Sequence, residues 1–174
     1  MAKIVFGFYG LPINQAIGLM ICLVFIWKKM DFLIATQYWK RVVWKIFNAV
    51  LAFGMIVAIL AATISSRGGV SELILKPFYS LRQIPESPDL GRSMFMNIFL
   101  FFPLGLTLPF ALPEKWNRKA LIAILFAMVL SISVEFLQYY YHLGRAETDD
   151  VLCNTLGCAI GTLSYTLERK LFNK

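Results

Sequence analysis

Between Glu135 and Asn154 the chain carries a carboxylate and an amide one helical turn apart, then a histidine, an arginine, two adjacent aspartates and an asparagine. These are Glu135, Gln138, His142, Arg145, Asp149, Asp150 and Asn154. Carboxylates and imidazoles can move protons, while amides and guanidinium groups recognise polar ligands. Yet the stretch, EFLQYYYHLGRAETDDVLCN, follows LIAILFAMVLSISV and precedes TLGCAIGTLSYTL, both strongly apolar. A charge near the centre of a bilayer costs roughly 2.5 to 3.5 kcal/mol on insertion scales, so such residues usually face a bundle interior or a wet cavity and mark function. They are expected to build a polar site at one membrane surface.

The elements that must position them are membrane helices. With 59% hydrophobic residues, 15% aromatics and a mean hydropathy of +0.67, the chain exceeds the needs of a soluble core. At about 20 residues per span, residues 1–174 read as a single all-α transmembrane domain with about five transmembrane helices. The spans are expected near 7–27, 46–64, 93–112, a fourth ending near 141, and 148–167. The first reads as a retained span and not a cleaved signal peptide, because Lys28 and Lys29 follow it where small residues would be needed. Residues 28–45, with KKMD and YWKRVVWK, read as an interfacial loop. Residues 65–93 read as the longest polar connection, with an amphipathic piece at about 70–81 lying on the membrane surface. Pro103 should free the carbonyl of Phe99 and kink the third helix.

Orientation follows from the basic residues, which are enriched in cytoplasmic loops. With five spans, eleven Lys and Arg fall on one side (Lys28, Lys29, Lys40, Arg41, Lys45, Lys115, Arg118, Lys119, Arg169, Lys170 and Lys174) and six on the other. This predicts the N-terminus outside, the C-terminus cytoplasmic, and a multi-pass protein of the bacterial plasma membrane. Asn97, Glu135, Gln138, Asp149, Asp150 and Asn154 then share one outer level, with Arg92 and Arg145 at its mouth. Ser131, Glu135, Gln138 and His142 follow i, i+4, i+7, i+11, one stripe of the fourth helix. Asp150, Asn154, Gly157 and Gly161 repeat that spacing on the fifth. The Gly157-x-x-x-Gly161 step permits close helix approach and is also a candidate oligomer contact.

Several chemistries are disfavoured. The net charge of +7 is scattered between apolar runs instead of forming a basic face, so no nucleic-acid partner is expected. Cys22, Cys153 and Cys158 lie in apolar segments without metal-ligand spacing, and no metal or cofactor is expected. A lone His142 beside carboxylates invites a general-base or metal role, but with no HExxH motif or serine elbow it reads better as an interfacial ring reaching water.

Two blocks resemble the VanZ-like membrane proteins, a family named after a component associated with teicoplanin resistance. NIFLFFPLGLTLPF, from Asn97 to Phe110, is similar to the family's Asn-Ile-x-Leu-Phe-x-Pro-x-Gly span. Glu135 to Gly161 carries its Glu-x-x-Gln, Gly-Arg and Asp-Asp-x-x-x-Asn-Thr-x-Gly order, and KPFYSL at 76–81 is similar to a Pro-Phe segment that precedes these blocks. The resemblance covers residues 76–165. It implies Asn97, Glu135, Gln138, Arg145, Asp150 and Asn154 as the characteristic polar set, with Pro103, Gly105 and Gly157 shaping the helices. The AET before Asp149 departs from the family's aromatic or aliphatic-plus-acid arrangement.

Three functions stay open. In the preferred one, a non-enzymatic protein protects the cell envelope, and an outward polar cavity binds a glycopeptide, a lipid-linked wall precursor or a phospholipid head group. The second is an enzyme acting on such a lipid with Glu135 or Asp150 as general base. The third is an assembly subunit whose polar residues only hold helices together, through Glu135–Gln138 hydrogen bonds, helix N-terminal placement of Asp149 and Asp150, and an Arg145 pair with Asp149 or Glu135.

Overall fold

A computed structural model describes residues 12–34, 38–65, 72–113, 115, 116, 118–163, 165 and 166. Four long helices, α1 (Ile13–Ile34), α2 (Tyr38–Ser65), α4 (Pro88–Ala111) and α5 (Lys119–Tyr140), are accompanied by a short helix α3 (Tyr79–Gln83) and by α6 (Thr148–Gly161). The four long ones are apolar and long enough to cross a membrane, and this is a membrane protein. The chain is mostly helical, as the sequence predicts, with one short addition. Strands β1 (Glu72–Ile74) and β2 (Arg145–Glu147) form a two-stranded parallel sheet with Glu72 opposite Arg145, Leu73 opposite Ala146 and Ile74 opposite Glu147. The R-A-E alternation drives it, since Ala146 turns inward and is buried while Arg145 faces out.

Helix α4 is the centre of the bundle, and its Phe101, Phe102, Leu104 and Leu106 are almost fully buried. Around it, α1, α2 and α5 keep large apolar side chains exposed, among them Phe25, Phe53, Val129 and Phe136. Such a surface suits lipid, which solvates Phe and Val as well as a protein core does. Helix α4 starts at Pro88, where a fixed φ and a missing N–H cost nothing, with Asp89 in the positive first turn. It runs on through Pro103 and Pro109 as one element, and the Thr107 hydroxyl donates to the Pro103 carbonyl at 2.9 Å.

The most extensive helix contact is α4 against α6, and glycines make it. A Cβ at Gly157 would stand 2.8 Å from the Ile98 carbonyl carbon, and one at Gly161 would stand 2.7 Å from the Leu106 amide nitrogen. From the other side, Gly105 presses on Cys158. The close helix approach at Gly157 and Gly161 is thus made by α4 of the same chain.

Aromatic contacts tie the opposite end together. The Trp27 indole N–H donates to the Asn48 side-chain oxygen at 2.8 Å, and the Asn48 amide donates to the Trp44 carbonyl at 2.8 Å. The Trp44 ring meets Phe110, which meets Tyr165 edge-on. Lys119 donates to the Leu112 carbonyl at 3.2 Å and lies over the Tyr165 ring. The described Lys28, Lys29, Lys40, Arg41, Lys45, Lys115 and Arg118 are at this end too, by their places in α1, α2 and the α4–α5 turn.

Other expectations shift. The basic stretch at 28–45 is nearly all helix, as α1 continues to Ile34 and α2 starts at Tyr38, so its charges extend the helices instead of forming a loop. The piece at 70–81 is a strand, a turn and the start of α3, with residues 70 and 71 outside those described. Helix α6 is 14 residues, about 21 Å of rise, shorter than a hydrocarbon core. Helical backbone resumes at Leu163 beyond a turn at Thr162, and Tyr165 reaches Phe110 at the far end. The remainder of the predicted 148–167 span, and the start of the 7–27 one, lie outside the described residues.

Candidate functional site

The polar end is built by α3, the sheet, the first turns of α4, the last of α5 and the first of α6. Helix α5 stops at Tyr140, and His142 takes a left-handed backbone with φ 52°, exposed. That corrects the predicted stripe, which ends at Gln138. The turn then feeds β2, which leads without a gap into α6. Four acidic side chains, Glu135, Glu147, Asp149 and Asp150, are thereby gathered at the junction of strand and helices.

Asp149, 2% exposed, ties the start of α6 to the start of α3, 68 to 71 residues earlier in the chain. Its Oδ1 accepts the Phe78 N–H at 2.5 Å, and its Oδ2 accepts those of Ser80 at 2.8 Å and Leu81 at 3.4 Å. These are amides at the start of α3, which has no side-chain cap of its own, so a carboxylate from α6 satisfies donors that the helix leaves open. The Thr148 hydroxyl donates to the Ile74 carbonyl at 3.3 Å, binding α6 to β1 as well.

Glu147, absent from the sequence-derived set, is the hub beside it. The Ser80 hydroxyl donates to its carboxylate, and Arg145 pairs with it at 2.7 Å and with Glu72 at 3.7 Å. The expected pairing of Arg145 with Asp149 or Glu135 is replaced by these two. On a strand, Arg145 and Glu147 point to the same face and Glu72 stands directly opposite Arg145, whereas Asp149 and Glu135 belong to neighbouring helices. Alternating R-A-E flanked by a turn and a helix was the signal that this stretch forms a strand. No local pattern singled out Ser80 or Glu72.

Glu135 is 8% exposed and accepts the Glu147 backbone N–H on Oε2 at 3.0 Å. Among the described residues it has no cation opposite it, and its charged neighbours are Asp150 and Glu147. One turn deeper, the Asn154 amide donates to the Ser131 hydroxyl at 2.8 Å, joining the two predicted helical stripes. The buried Asn154 Oδ1 meets no donor among the described residues. Asp150 is half-buried in the same electrostatic neighbourhood. Asn97 and Gln138 are half-buried and Arg92 is exposed, and none of the three makes a side-chain hydrogen bond or ion pair among the described residues.

The arrangement thus has two layers. Asp149, Glu147, Arg145, Ser80 and Thr148 bind protein to protein. Glu135 and Asn154, with Asp150 beside Glu135, present acceptor oxygens, of which Glu135 has no cation and Asn154 Oδ1 no donor among the described residues, suited to a ligand bearing ammonium, amide or hydroxyl donors.

The family described as VanZ/LLP1 matches residues 17–169. "Protein VanZ" of Enterococcus faecium is 32% identical over 83 residues, which cover 48% of this chain and 50% of that protein. The aligned part of the chain thus spans half the length of that relative. No solved structure matches.

Proposed function

This chain belongs to the VanZ/LLP1 family, and on that premise we propose that it is a non-enzymatic protector of the bacterial cell envelope. It binds a lipid-tailed glycopeptide of the teicoplanin type, or the lipid-linked wall precursor or phospholipid such a drug meets, at the polar end of its bundle. The observation that carries this reading is the uncompensated acceptor group. Among the described residues, Glu135 is buried beside Asp150 and Glu147 with no cation paired to it, and the nearby Asn154 Oδ1 has no donor. Buried acceptors left open cost stability and are commonly kept for function.

The polar end is the outer one, by the positive-inside rule, because the basic residues gather at the other end. On this reading α6 with its described continuation to residue 166 is a fifth span beside the four long helices, which sets the N-terminus outside and the C-terminus in the cytoplasm of a plasma-membrane protein. Arg145 and Arg92 stand at the mouth, and Asn97 and Gln138 line the approach.

The test is antibiotic susceptibility of a sensitive strain with and without the chain, over glycopeptides of differing lipophilicity. Protection is expected to be largest for acyl-tailed drugs, and to be lost with Glu135→Gln or Asp150→Asn at unchanged membrane abundance. Equal protection across the series, or none, would remove the reading. A structural role is supported for two residues of the set, Asp149, whose carboxylate is filled by backbone donors, and Arg145, which pairs with Glu147 and Glu72.

A further inference from the structure

At the end opposite the polar site, the first turns of α2 and the turn after α4 enclose a groove of about 710 Å³. Arg41, Lys45 and Lys115 stand around it, and Val42, Ile46 and Ala49 form its apolar wall. Among the described residues no acidic side chain lines it, and none of the three cations is ion-paired. Three cations around one hollow repel one another, and an anion between them would remove that repulsion.

The wall shows what kind of anion. From the groove, Ile46, Val50, Phe53 and Val57 follow i, i+4, i+7, i+11 along α2, and all four are exposed. The stripe descends from the cations into the span Trp39–Ala62. A ligand that fits both parts has an anionic head and a long apolar tail. Basic hollows between membrane helices near the charged face take lipid phosphates in this way. We propose that this groove is a site for an anionic phospholipid, with its phosphate among Arg41, Lys45 and Lys115 and an acyl chain along the Ile46–Val57 stripe. The site is remote from Glu135 and does not depend on the function proposed there.

The probe is phosphatidylglycerol added to the purified chain in neutral detergent, read by thermal stabilisation. Phosphatidylcholine with the same acyl chains and inorganic phosphate serve as comparisons. Phosphatidylglycerol should stabilise at concentrations where neither comparison does. Lys115→Gln, on an exposed turn where folding is not at stake, should weaken its apparent affinity roughly five-fold, the gain of one basic side chain at an anionic lipid surface. Arg41→Gln with Lys45→Gln should weaken it further, while Lys28→Gln with Lys29→Gln, at the same end on α1, should leave it unchanged. Equal stabilisation by phosphatidylcholine overturns the proposal, as does inorganic phosphate matching the lipid. An equal loss in the Lys28 and Lys29 variant does so too, since it reveals diffuse surface attraction.

Discussion

Asp149→Asn separates a structural carboxylate from a ligand-binding one by subtraction of a single charge. In the native chain the two oxygens serve different donors, Oδ1 the Phe78 N–H and Oδ2 the Ser80 N–H, with Leu81 a longer third. Asparagine keeps one oxygen and replaces the other with an amide that cannot accept. Ser80 is buried and Phe78 is exposed, so the remaining oxygen should turn to Ser80 and leave the Phe78 N–H to find water. The loss is then mainly charge assistance on one bond and a partly rehydrated donor, about 2 kcal/mol. Alanine removes both acceptors, stranding the buried Ser80 N–H, and should cost about 4 kcal/mol. At roughly 2 to 4 °C per kcal/mol for a chain of this size, the midpoint of thermal unfolding in detergent should fall by about 4 to 8 °C for asparagine and about twice that for alanine. Protection per folded molecule should be kept. An unchanged midpoint with protection abolished would refute the reasoning and make Asp149 a ligand group.

Gly157→Ala and Gly161→Ala drive a methyl into α4 backbone that cannot rotate away, so each should destabilise by about 3 kcal/mol, the upper end for overpacking. Light scattering should find the oligomeric state unchanged, whereas dissociation of an oligomer would return these glycines to a subunit contact. Arg145→Met alone should lower folded yield more than Arg145→Met with Glu147→Gln, because the single change leaves a mostly buried carboxylate unpaired. The coupling should be about 1 kcal/mol, given the exposure of Arg145, and strictly additive yields would show no interaction. For topology, a cysteine at the exposed Glu86 should react with an impermeant thiol reagent on intact cells, in a chain otherwise freed of cysteine, and one at Trp116 should not. The reverse labelling would turn the polar end to the cytoplasm.

Membrane residence, the helical spans and the polar level shared by α4, α5 and α6 follow from the sequence alone, because the driving pattern is local: long apolar runs, their breaks and the 3.6-residue period. Glu135 and Asn154 could be assigned to inward stripes for that reason, and Gly157 and Gly161 to a close helix approach. Local pattern cannot say which helix arrives, and only packing showed it to be α4 of the same chain, where Gly105 makes room from the other side. Nor could it say whom Arg145 would pair with. Distance along the chain suggested Glu135 or Asp149, but β1 brings Glu72 from the far side of α4 and α5, and the strand turns Glu147 to the same face as Arg145. The division of the acids is likewise tertiary. Asp149 and Asp150 are adjacent and chemically identical, and a turn of roughly 100° between successive helix residues sends one to the amides of α3 and the other toward Glu135.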